Sequence, residues 1–256
     1  MRGELCIGSA SFLSLVALLL LIFMHVGQIN TSTVPRSISM MKVNVSAYGV
    51  AIAAATTPDP VTGLYTDNAS EPLQQHLGLR NFYDWGLYQY CAYVNDTHGE
   101  CSPHVTANRL QPYEALTSDM NDNFVRLTNS LIPATTFSDS QYLGEFTRGA
   151  YYLLLLGTIA TALAFFTGLV RHAFGFFVST VFAIVGSVFL LIGAVIWTVI
   201  VKKAEVINGY FIPTTPPVPL GVEVSVGNGI LLAWAAFACL IGSVIPYMIS
   251  CCTYRG

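Results

Sequence analysis

The run AFGFFVSTVFAIVGSVFLLIGAVIWTVIV, residues 173–201, carries no charged side chain. Wound as a helix throughout, it would reach about 43 Å, well beyond the ~30 Å of a bilayer's hydrocarbon core. Its last turns are therefore expected to stand clear of the hydrocarbon, where the charges of Lys202 and Lys203 cost little. Three further stretches are equally free of charge: residues 5–26, 149–170 and 224–254. Each exceeds the roughly 18 apolar residues that mark a spanning helix. The whole composition agrees, with 54% hydrophobic and only 10% charged residues, against roughly 25% charged in an ordinary soluble domain. Four spans are the economical reading.

The first run admits a second reading. Met1-Arg2 followed by a Leu-, Val- and Ala-rich stretch has the outline of a secretory signal peptide. It is longer than a typical h-region, and no small-x-small cleavage site stands behind it, so a retained helix is expected; cleavage would leave three spans. Orientation is contested within the sequence. Arg2, Arg171 and Arg255 lie on one side of the membrane, and Arg36, Lys42, Arg148, Lys202 and Lys203 on the other, a count that opposes an external large loop. That loop nevertheless holds the sequons Asn30-Thr-Ser, Asn44-Val-Ser, Asn68-Ala-Ser and Asn95-Asp-Thr and a close cysteine pair. Both features favour the lumenal or extracellular side, with both termini in the cytosol.

Small residues in the spans, Ala160, Ala164 and Gly168, Gly186 and Gly193, Gly229 and Ala233, suit close helix packing or a homo-oligomer seam. No Asp, Glu, Lys or Arg lies within a span; such residues mark ion paths and substrate sites, so a transporter is not expected. Tyr151, Tyr152, Trp197, Tyr247 and Tyr254 are placed as interfacial aromatic anchors. Cys251 and Cys252 stand at the cytosolic end of the last span, where palmitoylation is plausible chemistry; Cys6 is a weaker case.

The loop after the first span is long enough to fold as a small domain, given a clasp. Cys91 and Cys101 close a short loop, and a disulfide there would add roughly 2–4 kcal/mol. Residues 41–55 open with the alternation of a half-buried strand, Val43, Val45 and Ala47 against Lys42, Asn44 and Ser46, ended by residues 56–60. Residues 112–132 read as a helical segment with Tyr113, Leu116, Met120, Phe124 and Leu127 on one face. Pro213, Pro216, Pro217 and Pro219 predict an extended, helix-free strap between the last two spans.

Trp85, Gly86-Leu87-Tyr88, Cys91 and Cys101 resemble the first-loop signature of the claudin superfamily, W-x-n-G-L-W-x-x-C and a second Cys, with Tyr88 at the second Trp position and Trp85 directly before the Gly. The chain is more similar to the fungal Sur-type/PalI family of cortical-patch, eisosome-associated tetraspan proteins. The likeness lies in Met41-Lys42-Val43-Asn44-Val45-Ser46, in Phe82-Tyr83-Asp84-Trp85-Gly86-Leu87-Tyr88-Gln89-Tyr90-Cys91, and in Gly149-Ala150-Tyr151-Tyr152. This resemblance implies a plasma-membrane organiser of static, furrow-like compartments, with relatives in cell-wall integrity, stress response or ambient-pH sensing. Only four residues follow Cys252, so a scaffold borne on a cytosolic tail is not expected.

The fold class expected is an all-α transmembrane four-helix bundle, claudin-like, with a small disulfide-clasped α+β extracellular domain between helices 1 and 2. The expected order is N-terminus and first span 1–28, loop domain 29–147, second span 148–170, a turn 171–172, third span with its outer extension 173–203, Pro-rich loop 204–223, fourth span 224–250 and tail 251–256. An enzyme is not expected: His76, His98 and His104 have no partner at catalytic spacing. The run Asp119-Met-Asn121-Asp122-Asn123 lacks the central Gly and closing Glu of a calcium loop and reads as polar residues on a helix face. With net charge −3 and pI near 5.9, no basic surface for nucleic acid is evident. No cofactor, metal or small-molecule substrate is indicated; the partners expected are the lipid bilayer and lateral membrane proteins or further copies of the chain. The leading function is organisation of a cortical membrane domain; the alternatives are an auxiliary or sensor subunit of a signalling complex and a cell–cell adhesion or fusion protein.

Overall fold

The computed structural model describes residues 2–55, 61–170 and 173–253. Its helices are α1 (Arg2–Val26), α2 (Thr33–Ser37), α3 (Tyr48–Ala55), α4 (Pro112–Asp119), α5 (Asp122–Leu131), α6 (Ser140–Gly168), α7 (Ala173–Ala204) and α8 (Asn228–Thr253). Its strands are β1 (Met41–Asn44), β2 (Phe82–Trp85), β3 (Tyr90–Tyr93), β4 (Gly99–Cys101), β5 (Phe211–Ile212), β6 (Val218–Pro219) and β7 (Glu223–Val226). The chain divides into a membrane unit, Met1–Val26, Gly149–Ile196 and Gly229–Gly256, and a sheet unit, Gly27–Arg148 and Trp197–Asn228.

Four helices, α1, α6, α7 and α8, are long and apolar enough to cross a membrane. Bulky side chains such as Phe12, Leu19, Phe166, Phe177 and Ile245 face outward, while the interior combines small and hydroxyl residues, among them Ala10, Ser14, Ala17, Ala164, Ser179 and Ala233, with larger ones such as Leu21, Phe176 and Leu240. A helix apolar all round suits this arrangement, since lipid replaces water on the outer face. Glycine permits the closest approaches. A Cβ at Gly193 would lie 2.9 Å from the Leu154 side chain, and one at Gly186 would lie 3.0 Å from Leu240. Where backbones come together, hydroxyls cross between helices. Ser14 on α1 donates to the Tyr247 hydroxyl on α8 at 3.2 Å, and Ser179 on α7 donates to the Ala164 carbonyl on α6 at 2.9 Å. Thr167 and Ser179 share a further bond of 2.7 Å. Hydrogen bonds of this kind contribute about 0.6 kcal/mol each in a bilayer. Tyr247, read from sequence as an interfacial anchor, is thus an interior residue that packs with Ala10 and Phe176. Trp197 and Tyr151 are likewise buried in the protein; Tyr152 is exposed, and Tyr254 lies outside the described residues.

The sheet unit is built on five antiparallel strands in the order β4-β3-β2-β1-β7. Period-two alternation assigns its two faces. Met41, Val43, Tyr83, Trp85, Tyr90, Ala92 and Val224 form the buried face, and Lys42, Asn44, Phe82, Asp84, Tyr93, Glu223 and Ser225 the other.

Several expected boundaries are corrected. The fourth helix starts at Asn228, because residues 223–226 are a strand beside β1; Gly227, whose Cβ would strike the Ser39 carbonyl, makes the exit. The sheet domain is therefore completed by the connection between helices 3 and 4. The second helix begins at Ser140, eight residues before the expected start at 148, where the Asp139 carboxylate accepts the Tyr142 N–H at 2.9 Å. Residues 41–55 are a strand only to Asn44. The Asn44 side chain then bonds the Ser46 N–H, and α3 follows; residues 56–60 lie outside the described residues, as does the turn 171–172. The segment 112–132 is two helices, broken where Met120 turns extended and Asn121 caps α5 through the Asn123 N–H. The strap is not wholly helix-free: Glu205–Gly209 forms a 3-10 turn ahead of the β5–β6 hairpin, which holds a cis Thr215-Pro216 bond.

Candidate functional site

The Trp85-Gly86-Leu87-Tyr88 motif is the turn between β2 and β3. Trp85 is 1% exposed and stacks on Tyr90 at 5.4 Å between ring centroids and on Tyr83 at 6.2 Å. Gly86 closes the turn through its N–H to the Gln89 carbonyl at 2.9 Å. A Cβ there would strike the Gly27 carbonyl and lie 2.9 Å from the Gln28 Cβ, so the turn needs glycine for close backbone approach. Leu87 is buried, and Tyr88 stacks on His104 at 4.9 Å. Cys91 and Cys101 stand directly opposite on β3 and β4 and form a disulfide of 2.03 Å.

The clasped turn meets Gln28, a residue that no sequence signal singles out. Gln28 is fully buried and has a φ of 56°, in the left-handed region uncommon for side-chain-bearing residues. Its Oε1 accepts the Tyr93 hydroxyl at 2.8 Å, and its Nε2 donates to the Arg36 carbonyl at 2.8 Å. One amide thereby ties β3 to the segment carrying α2.

On the buried face lies a second group the sequence conceals. Arg80 and Asp119, each 2% exposed, pair at 3.6 Å. The Tyr83 hydroxyl donates to the same Asp119 carboxylate at 2.8 Å, and the Asp119 carbonyl accepts the Gly78 N–H at 2.8 Å. Burial pushes the Asp119 carboxyl upward against the pull of the Gln74 and Tyr83 hydrogen bonds and of Arg80, and it raises the Tyr83 phenol well above its ordinary range. Read from sequence as polar residues on a helix face, the run 119–123 is instead used up by this pair and the Asn121 cap. Among the described residues no three of His, Cys, Asp or Glu come close enough to hold a metal ion.

The other face of the sheet is open over β1 and β7, where Lys42 and Asn44 are half-buried and Glu223 and Ser225 exposed, while Tyr93 and Asp84 on it are buried. A groove of about 440 Å³ runs across it, lined by Lys42, Asn44, Phe82, Asp84, Asp96 and Glu223 among others. One wall is tied down by Arg36, which donates to the Thr97 carbonyl at the β3–β4 hairpin tip at 3.0 Å. Lys42 and Asp84, cross-strand neighbours, pair at 3.6 Å in the floor. Burial lifts the Asp84 carboxyl to about 6, Lys42 opposing.

The four sequons share one local geometry. In each, the Asn Oδ1 accepts the backbone N–H two residues on: Asn30 from Ser32 at 2.9 Å, Asn44 from Ser46 at 3.0 Å, Asn68 from Ser70 at 3.1 Å and Asn95 from Thr97 at 3.0 Å. Asn30, Asn68 and Asn95 are exposed and Asn44 is half-buried. The side chains of Cys251 and Cys252 lie outside the described residues.

Four apolar helices and a clasped antiparallel sheet define a multi-pass membrane protein with a folded hydrophilic domain. The chain belongs to the SUR7/PalI family, which it matches over residues 6–246. No curated protein matches it.

Proposed function

We propose that the protein is a non-enzymatic organiser of a plasma-membrane domain, with the sheet unit extracellular, both termini cytosolic, and a role in cell-wall integrity and stress response. The observation that carries this reading is the make-up of the four-helix unit. Its interior is filled by packed small, apolar and hydroxyl side chains, its periphery is bulky and apolar, and the stretches 5–26, 149–170, 173–201 and 224–254 hold no Asp, Glu, Lys or Arg. Such a body offers lipids and neighbouring helices a large lateral surface and offers an ion or solute no polar path. Membership of the SUR7/PalI family across most of the chain supports the same reading. The disulfide and the four sequons favour the extracellular side. The Ser14–Tyr247 bond, which ties α1 into the bundle, favours a retained first helix.

Imaging of the tagged full chain in living fungal cells, with photobleaching and detergent purification, tests the proposal. Slow-recovering cortical patches without a fixed companion are the expected result. A diffuse or internal signal with one stoichiometric partner would overturn it in favour of an auxiliary subunit, and loop-dependent cell aggregation would overturn it in favour of adhesion.

A further inference from the structure

We infer that the groove on the open face of the sheet is a binding site for a neutral saccharide. Its volume of about 440 Å³ falls in the roughly 300–1,000 Å³ range of small-ligand sites. Its chemistry selects the ligand. Its lining carries charge of both signs: Arg36, with one bond to the neutral Thr97 carbonyl, and Lys42, paired with Asp84. The carboxylates of Asp96 and Glu223, by contrast, have no ion pair among the described residues. A phosphate or sulfate would meet the carboxylates of Asp84, Asp96 and Glu223 beside the two cations and would recover only part of its lost hydration. Among the described residues a metal ion finds no adequate cluster, and an organic cation would meet the charges of Arg36 and Lys42 beside the carboxylates.

A ligand rich in hydroxyl donors but without charge fits this lining. Its hydroxyls donate to the Asp96 and Glu223 carboxylates and accept from the Nδ2 groups of Asn44 and Asn95, and the apolar C–H face of a pyranose ring lies on the half-buried Phe82 ring. Aromatic floors with a few convergent polar groups are the usual construction of such sites. The groove is also pre-built. Phe82 stands in the middle of the sheet between Asn44 and Tyr93, and the Arg36–Thr97 bond holds the wall, so little ordering is needed on binding.

Two sources of this chemistry are compatible with the site. Two of the four sequon asparagines, Asn44 and Asn95, line the groove themselves, so a glycan on either would start within it; a free polysaccharide is the other source. The groove's chemistry does not depend on the proposed extracellular placement; only the identity of the source does.

The test uses the full chain purified in lipid nanodiscs, titrated by saturation-transfer NMR with a neutral β-1,3-glucose hexamer, an N-acetylglucosamine trimer and a heparin-derived hexasaccharide. It is run on the protein as made in a glycosylating host and on Ser46→Ala/Thr97→Ala, which abolishes both sequons and keeps the two groove asparagines. The expected result is saturable binding of a neutral sugar with Kd on the order of 0.1–1 mM, weakened at least about fivefold by Glu223→Gln, with its thermal melting unchanged, and by Phe82→Leu. Binding to both forms assigns a free polysaccharide, and binding only after loss of the two sequons assigns the chain's own glycan. Absence of neutral-sugar binding in both forms, preference for the sulfated sugar, or indifference to both groove variants would overturn the inference, whatever the cellular location proves to be.

Discussion

Asn208 and Val224 are joined by two hydrogen bonds: the Asn208 carboxamide accepts the Val224 N–H at 2.7 Å and donates to the Val224 carbonyl at 2.8 Å. The side chain stands where a sixth strand would lie and closes the outer edge of β7. Unpaired edges invite pairing with another chain, so Asn208→Ala should lower the stability of the sheet unit by about 1–3 kcal/mol and increase self-association. Differential scanning fluorimetry with size-exclusion chromatography checks this; a variant that melts and elutes like the wild type would sink the edge-capping role.

The Cys91–Cys101 clasp closes a ten-residue separation. Loop entropy places its contribution at roughly 2–3 kcal/mol. Cys91→Ser/Cys101→Ser should leave the sheet unit more sensitive to protease while the spanning helices persist. Equal resistance in the two proteins would count against the clasp as a stabilising element.

Arg80 and Asp119 should be more sensitive to the loss of one partner than of both. Asp119→Ala leaves a guanidinium buried and unpaired, a cost of about 3–5 kcal/mol. Exchanging both residues for apolar ones of similar volume should recover much of that loss. The comparison is read from urea or thermal midpoints of the purified chain, and equal midpoints for the single and double variants would contradict it.

Gly86→Ala should be poorly tolerated, because the atom in its way is the backbone of Gly27 and not a side chain free to rotate. We expect a loss of roughly 1–3 kcal/mol and a lower yield of folded chain. Wild-type melting in this variant would remove the close-approach reading of the motif glycine.

The Asp84 carboxyl, lifted to about 6 by burial, gives a sign for pH dependence. Between its unfolded value near 4 and about 6 the folded state binds the proton more tightly, so stability falls as pH rises through that window and is level above it. Asp84→Asn should flatten this slope, a change on the order of 2–3 kcal/mol at neutral pH before the lost attraction to Lys42 is counted. Melting temperatures at pH 4.5 and 7.5 measure it; an unaltered difference between the two would refute the assignment.

The spanning helices were legible because a charge-free run of bilayer length has few other uses. Strand β7 was not, since Val224 and Val226 merge without a break into the fourth apolar run and the alternation with Glu223 and Ser225 is too short to stand out. The break between α4 and α5 was masked because Leu116, Met120, Phe124 and Leu127 keep helical spacing across it. Trp197 and Tyr247 sat at sequence positions typical of membrane anchors, and only tertiary packing shows them buried. Of the candidate site, the Trp85–Cys91 turn and the clasp were visible in the motif. Gln28, the Arg80–Asp119 pair and the groove were not, because each depends on segments far apart in the chain meeting on one sheet.

The pairing of β1 with β7 joins an early segment to one that follows the third helix. During synthesis, Met41–Asn44 must wait with one backbone edge bare until residues 223–226 have emerged. A chain stalled before residue 223 would present that edge to chaperones, so closure of the sheet reports that the third spanning helix has been made and crossed.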